Sequence, residues 1–251
     1  MNALKQVSLA LATAGLLTSG VAQAALNDRG GGLLYDDVLN VTWLQDANYA
    51  KTSGYDADGR MDNWNAANTW ASSLNISRVA GESLSGWRLP ATAPVGTEWA
   101  YGMHNSNYAK DGSQDVGYNI TSPHSELSYM YYVNLGLKGY YSPAGVYQSD
   151  YGATGTGDVG LVKNLQGRYQ GASYWSGTVY AAAGYPGHAW HFITSLGLQH
   201  GGTMSGVGLY AWAVRPGDVA AVPEPETYGM LLAGLGLLGF VARRRKQKLA
   251  A

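Results

Sequence analysis

The sequence predicts an α+β domain of short antiparallel strands and two helices, followed by a C-terminal membrane helix. Three observations support this fold class. Short runs rich in β-branched and aromatic residues, bounded by Gly and Asp turns, recur near both ends of the domain. Between them, two stretches repeat apolar residues at helical spacing. Apolar segments with basic neighbours occupy both termini of the chain.

Residues 1–24 have the order of a secretory signal peptide. Lys5 precedes a mostly apolar run, and small residues follow that run. Ala22 and Ala24 stand at the −3 and −1 positions of an A-x-A-like site, so cleavage would leave a mature chain that begins at Ala25. A buried N-terminal helix is the alternative interpretation.

The C-terminus combines a Pro-Glu-Pro motif, an apolar stretch at 228–242 and a basic tail at 243–251. A full membrane span needs about 20 apolar residues, so this shorter stretch would cross with its flanks or by thinning the bilayer. The basic cluster would stay on the cytoplasmic side and orient the preceding domain outward. The motif residues are Pro223, Glu224 and Pro225, and the basic cluster is Arg243, Arg244, Arg245 and Lys246.

This C-terminal order resembles the PEP-CTERM sorting family of Gram-negative bacteria. The resemblance implies that an exosortase, which is a membrane peptidase, processes the chain near the Pro-Glu-Pro motif. It also implies an inner-membrane-anchored precursor that is exported to the cell surface or to the extracellular matrix. A plain tail anchor behind a Pro-rich linker is the alternative.

The composition of residues 25–218 suits one folded domain and excludes several functions. This part holds 10 Lys and Arg against 15 Asp and Glu, so it lacks the basic surface of a nucleic-acid-binding protein. The chain has no cysteine, which excludes disulfides and thiolate metal sites. The linker before the membrane helix is predicted at 219–227. With 8 Trp and 19 Tyr but 2 Phe, most of the large apolar side chains are amphipathic aromatics.

The first half of the domain predicts strands at 33–35 and 41–44, and a strand entry at 85–90 whose Trp and Leu lie opposite Arg88. The last part predicts antiparallel strands at 174–181, 188–197 and 209–217, which bring the terminal strands close together. The middle, 139–171, predicts loops. The core candidates of the last strands are Trp175, Trp190, Trp212 and Val214.

Two helices are predicted between these strands. Asp62 is the expected N-cap of the first. The second is expected to start with Ser122 as its N-cap and Pro123 at its first position, and to stop at Gly136. The buried stripes would be Trp64, Ala67, Ala71 and Leu74 in the first helix, and Leu127, Met130, Tyr131 and Leu135 in the second.

Six blocks of the chain together resemble the bacterial domain family named after the Lcl adhesin C-terminal domain. The resemblance implies a C-type-lectin-like fold related to formylglycine-generating domains, and the namesake is associated with glycan binding. The formylglycine-generating relatives use cysteines, and this chain has none. The blocks are LLYDDVLNVTWL, GYDADGRMDNWNAANTWASSL, GWRLP, SELSYMYYVNLG, YWSGT and LYAWAVRPGD.

Asp56, Asp58 and Asp62 could supply oxygen ligands to calcium, which is the one cofactor that the sequence suggests. Arg60 occupies a position at which an EF-hand loop needs a ligand, so a turn that caps the following helix is the alternative. The motif GTGDVG at 155–160 lacks the strand and helix of a phosphate site.

His188, His191 and His200 are expected at the surface or at loop edges rather than around a metal, because no carboxylate accompanies them at a recognisable spacing. The chain also lacks an identifiable nucleophile, base and orienting residue, so no catalytic residue is predicted and the protein is not expected to be an enzyme.

Loop aromatics are the favoured ligand contacts, because aromatic faces stack on flat apolar sugar faces. The sequence therefore predicts a cell-surface or biofilm-matrix protein that binds exopolysaccharide. Packing within the loops is the alternative for these rings, and a structural envelope component or an exported hydrolase is the alternative function. The aromatics are Tyr140, Tyr141, Tyr147, Tyr151, Tyr169 and Tyr185.

Overall fold

The computed structural model describes residues 26–78, 81–102, 108–152, 157–167 and 171–222, together with Ala233, Leu235 and Leu238. Those three residues are helical and belong to the predicted membrane segment. The signal peptide, the Pro-Glu-Pro motif and the basic cluster lie outside the described residues. Within the described part of the chain, no helix is both long enough and apolar enough to cross a membrane.

The described residues form a mixed α+β structure that is mostly strands with few helices, as predicted. The strands are β1 (Leu26–Gly30), β2 (Leu33–Asp36), β3 (Val41–Leu44), β4 (Arg60–Met61), β5 (Ile76–Ser77), β6 (Ser83–Leu84), β7 (Gly117–Tyr118), β8 (Gly157–Val159), β9 (Val162–Leu165), β10 (Tyr174–Tyr180), β11 (His188–Ile193), β12 (Leu198–Thr203), β13 (Leu209–Tyr210) and β14 (Val214–Pro216). The helices are α1 (Tyr49–Thr52), α2 (Trp64–Ser73) and α3 (Glu126–Tyr129), and a π-helix, Met130–Asn134, continues α3.

A four-stranded antiparallel sheet in the order β1-β2-β3-β14 joins the two ends of the domain. Leu33 and Leu34 of β2 are fully buried within it. The rings of Trp43 and Trp212 pack with their centroids 4.7 Å apart, and Trp212 Nε1 donates a hydrogen bond of 2.6 Å to the carbonyl oxygen of Leu44. The terminal strands are therefore close together, as predicted.

A six-stranded sheet in the order β4-β13-β10-β11-β12-β7 forms the second layer. β10 pairs with β13 in parallel, so the prediction of antiparallel pairing fails there. β12 and the β8–β9 hairpin were not predicted, because Gly and polar residues interrupt both segments. All four predicted core residues are buried: Trp175, Trp190, Trp212 and Val214.

The predicted start of each helix is wrong. Asn63 rather than Asp62 caps α2, because its side chain accepts the Ala66 N–H at 2.9 Å. Ser122 and Pro123 belong to a turn that precedes α3. The helix itself starts at Glu126, whose N–H donates to the carbonyl oxygen of Ala91 at 3.1 Å. A tertiary contact therefore sets the start of α3.

Candidate functional site

The acidic turn at residues 56–59 uses its carboxylates internally. Asp56 Oδ1 accepts the N–H groups of Asp58 at 3.0 Å and Gly59 at 2.8 Å, and Asp58 Oδ1 accepts the Arg60 N–H at 2.9 Å. Burial acts to raise the pKa of Asp56, but these hydrogen bonds outweigh it and lower the pKa. Within the described ranges, no group of three or more His, Asp or Glu could hold a metal ion, and the calcium role of Asp56, Asp58 and Asp62 stays a prediction.

The histidines divide between two environments. His191 and His200 are direct partners across β11 and β12, with ring centroids 5.8 Å apart. The Nδ1 atom of His191 is buried without a hydrogen-bond partner, and burial together with His200 lowers the pKa of His191 to about 3. His191 is therefore half-buried in the sheet and neutral at ordinary pH. His188 lies instead beside Tyr185, with ring centroids 5.3 Å apart.

Four of the predicted loop aromatics, Tyr140, Tyr141, Tyr147 and Tyr151, form one cluster, which we call the tyrosine group. Tyr140 is central, with ring centroids 4.8, 4.9 and 4.7 Å from the other three. The interplanar angles of these pairs are 77°, 61° and 67°, so the rings meet edge to face. This arrangement offers no shared plane. Tyr169 lies outside the described residues.

A second aromatic assembly was not among the predicted contacts. Trp99 and Tyr101, both partly exposed, have ring centroids 5.8 Å apart and an interplanar angle of 16°. Both stack on the fully buried Trp190, at 5.2 Å and 22° for Trp99 and at 6.0 Å and 11° for Tyr101. We call this assembly of three rings the aromatic platform.

The three rings of the platform are nearly parallel, with interplanar angles of 16°, 22° and 11°. Stacked carbon atoms need about 3.5 Å per layer, so rings on opposite faces of a third ring would lie about 7 Å apart. Trp99 and Tyr101 are only 5.8 Å apart, so they do not lie on opposite faces of Trp190. Because both are partly exposed, they leave ring surface for a ligand.

A buried carboxylate fixes the loop that carries the platform. Asp115 is fully buried, and its two oxygens accept the N–H groups of Val95 at 2.7 Å and Ala100 at 2.6 Å. The Asp115 N–H donates back to the Ala100 carbonyl oxygen at 2.9 Å. Such short, charge-assisted hydrogen bonds hold Trp99 and Tyr101 in place before any ligand arrives.

Tyr180 supports the platform from the neighbouring strand. Its ring meets Trp190 at 4.6 Å and Tyr101 at 5.0 Å, both edge to face, and Tyr185 lies 6.0 Å away. A Cβ atom added at Gly201 would lie 2.5 Å from the Tyr180 ring, so glycine is required there. The predicted contact Tyr185 therefore belongs beside the platform rather than in the tyrosine group.

A separate cleft of about 690 Å³ lies between the β1–β2 turn, α1 and the β8–β9 hairpin. Several of its polar side chains already have partners. Asp46 accepts the Asn48 N–H at 2.8 Å and the Thr52 hydroxyl at 2.7 Å. Lys163 pairs with Asp158 at 2.8 Å. The hairpin also contains residues 157–160 of the GTGDVG motif, and these described residues form strand and turn rather than a phosphate loop.

The C-terminal residues 221–246 match the PEP-CTERM protein-sorting motif. This motif supports an exported protein that an exosortase processes and that reaches the cell surface. The predicted Pro-Glu-Pro residues and basic cluster fall inside the matched range. No curated protein and no solved structure matches the chain. The likeness to the Lcl domain and to C-type lectins therefore stays a prediction.

Proposed function

We propose that the exported domain is a non-enzymatic surface or biofilm-matrix protein that binds exopolysaccharide through the aromatic platform. The observation that supports this proposal is the near-parallel stacking of the partly exposed Trp99 and Tyr101 with the buried Trp190. Pyranose rings with equatorial hydroxyls present flat CH faces, which stack on aromatic faces. Two neighbouring, partly exposed rings can contact consecutive sugar units of one chain.

The rigidity of the platform favours binding. A polysaccharide that binds a mobile loop must also order that loop, and this ordering weakens the affinity. Asp115 has already ordered the loop, so less conformational entropy is lost when the ligand binds. The excess of acidic over basic residues in the domain disfavours binding of an anionic polymer. A neutral polysaccharide is therefore the proposed ligand, and neither calcium nor a catalytic step is required.

The test is binding of the full chain, purified in detergent, to neutral and acidic exopolysaccharides by isothermal titration calorimetry. Trp99→Ala should weaken binding to the neutral polymer about tenfold, since stacking contributes on the order of 1 kcal/mol beyond the buried area. Tyr147→Ala removes an exposed ring of the tyrosine group and is the matched control. Equal losses in both variants, or no saturable binding by the unaltered chain, would point to a structural envelope component.

A further inference from the structure

Residues 218–222, which we call the strap, lead directly into the Pro-Glu-Pro motif and are bound to the folded domain. The Val222 N–H donates to the carbonyl oxygen of Arg29 in β1 at 2.8 Å. The Arg29 guanidinium binds both carboxylate oxygens of Asp218, at 2.7 Å each. The last strap residue is therefore fixed one position before Pro223, within what the sequence predicts to be a linker.

A buried arginine holds the middle of the strap. The side chain of Arg78 is 1% exposed, and its Nη2 donates to the carbonyl oxygen of Ala220 at 2.6 Å. Val219 is itself buried and belongs to the core. On the other side, a Cβ atom added at Gly30 would lie 2.5 Å from the Val222 carbonyl oxygen. The strap is thus held by β1 at Asp218 and Val222 and by Arg78 at Ala220.

We propose that the strap withholds the sorting motif from the exosortase, and that the strap must leave β1 before processing. Binding grooves commonly take peptides as extended chains whose backbone groups they pair. Residues just before Pro223 cannot enter such a groove while Arg29 and Arg78 hold them. Only the fraction of precursor with a released strap is then a substrate, which lowers the apparent affinity by that fraction.

The first test is a pulse-chase measurement of precursor processing in cells that express the full chain and its exosortase. Asp218→Ala removes the Arg29 pair, and we expect processing to become roughly threefold faster. Asp150→Ala is the matched control, because Asp150 pairs with Lys138 at 2.6 Å in a loop away from the strap. Unchanged or slower processing of Asp218→Ala overturns the proposal, as does equal acceleration by Asp150→Ala.

The second test separates strap release from general destabilisation. Six Gly and Ser residues inserted between Val222 and Pro223 give the enzyme free chain while the strap stays bound. We expect this insertion to accelerate processing, and Asp218→Ala to add nothing further in the extended chain. If Asp218→Ala accelerates the extended chain by the same factor as the original chain, the strap does not control access. Resistance of the exported domain to trypsin checks that each variant is folded.

Discussion

The tyrosine group and the aromatic platform contain the same kind of side chain in opposite arrangements. In the tyrosine group, each contact of Tyr140 is edge to face, so every ring covers part of its neighbour. In the platform, Trp99 and Tyr101 are nearly parallel to each other and to Trp190. Edge-to-face packing stabilises the loop that contains it, whereas parallel rings that are partly exposed leave ring surface available for contact. Orientation, more than aromatic content, separates a packing cluster from a binding surface.

The largest expected effect comes from the anchor of the platform. Asp115→Ala removes both acceptors for Val95 and Ala100, and we expect a loss of about 3 kcal/mol in the free energy of unfolding. Polysaccharide binding should disappear because the platform loop is released. Urea denaturation and calorimetry measure the two effects.

The tyrosine group offers a matched anchor for comparison. Asn119 Nδ2 donates to the carbonyl oxygens of Lys110 at 2.6 Å and Tyr141 at 2.9 Å. Because Asn119 has a φ of 59°, glycine is the substitution that keeps its backbone. Asn119→Gly should lower stability without lowering affinity. Lost binding in this variant would contradict the separate roles of the two regions.

A smaller loss of stability and of affinity for polysaccharide is expected from Gly201→Ala. The added methyl group would displace the Tyr180 ring and, through it, Trp190 and Tyr101. We expect the free energy of unfolding to fall by about 2 kcal/mol and the affinity for polysaccharide to fall with it. Gly157→Ala is the control, since a Cβ atom there would meet nothing within 4 Å. Equal stability of the two variants would show that Tyr180 does not support the platform.

Acidification should lower the free energy of unfolding through His191, which lies in the sheet that contains Trp190. The folded protein keeps His191 neutral down to a pKa of about 3, whereas the unfolded chain takes up the proton near pH 6.5. The unfolded state therefore binds more protons between these values, and stability falls as the pH is lowered from about 6.5 towards 3. Urea denaturation across this range should show a shallower decline in His191→Gln than in His188→Gln. If stability declines equally with pH in the two variants, His191 is not the source of the pH dependence.

The smallest effect of a mutation is expected at the hydroxyl of Tyr101. Stacking uses the ring, so Tyr101→Phe should keep affinity within about twofold, while Tyr101→Ala should weaken binding about tenfold. Burial and Asp115 raise the pKa of Tyr101, so the unaltered phenol is neutral under ordinary conditions. A large loss in Tyr101→Phe would show that a hydrogen bond rather than stacking binds the sugar.

Removal of calcium should change neither the stability of the domain nor the binding properties of the tyrosine group and the aromatic platform. The carboxylates of Asp56 and Asp58 accept backbone N–H groups within their own turn. EDTA should therefore leave both the melting temperature and the affinity for polysaccharide unchanged. A calcium-dependent melting temperature that Asp56→Asn abolishes would instead establish a metal site at this turn.

The sequence predicts those parts of the fold that local patterns determine. β2 and β3 follow from an apolar pattern around an acidic turn, and Leu127, Met130 and Tyr131 are buried at the helical spacing that predicted them. The start of α3 was not predicted because it depends on a residue that is distant in sequence. The Ala91 carbonyl oxygen accepts the first N–H of the helix. Local capping rules cannot include such a contact.

The platform could be predicted only in part. Trp99 and Tyr101 are two residues apart, a spacing that places both rings on one side of an extended segment. That spacing was the available signal. Their parallel orientation depends on contacts with Trp190, which the sequence predicts only as a core residue, and on hydrogen bonds to Asp115 that no local pattern encodes. The sequence favours the rings of the tyrosine group instead because they lie in loop-like sequence.

Gly30 has a consequence for the evolution of this chain. With a φ of 68° and the Val222 carbonyl oxygen in the place of a Cβ atom, it tolerates no side chain while the strap is bound. Gly31 and Gly32 also have positive φ but open space, so asparagine or aspartate could replace them. Among descendants of a common ancestor, we expect loss of this one glycine to coincide with loss of the arginine at position 78.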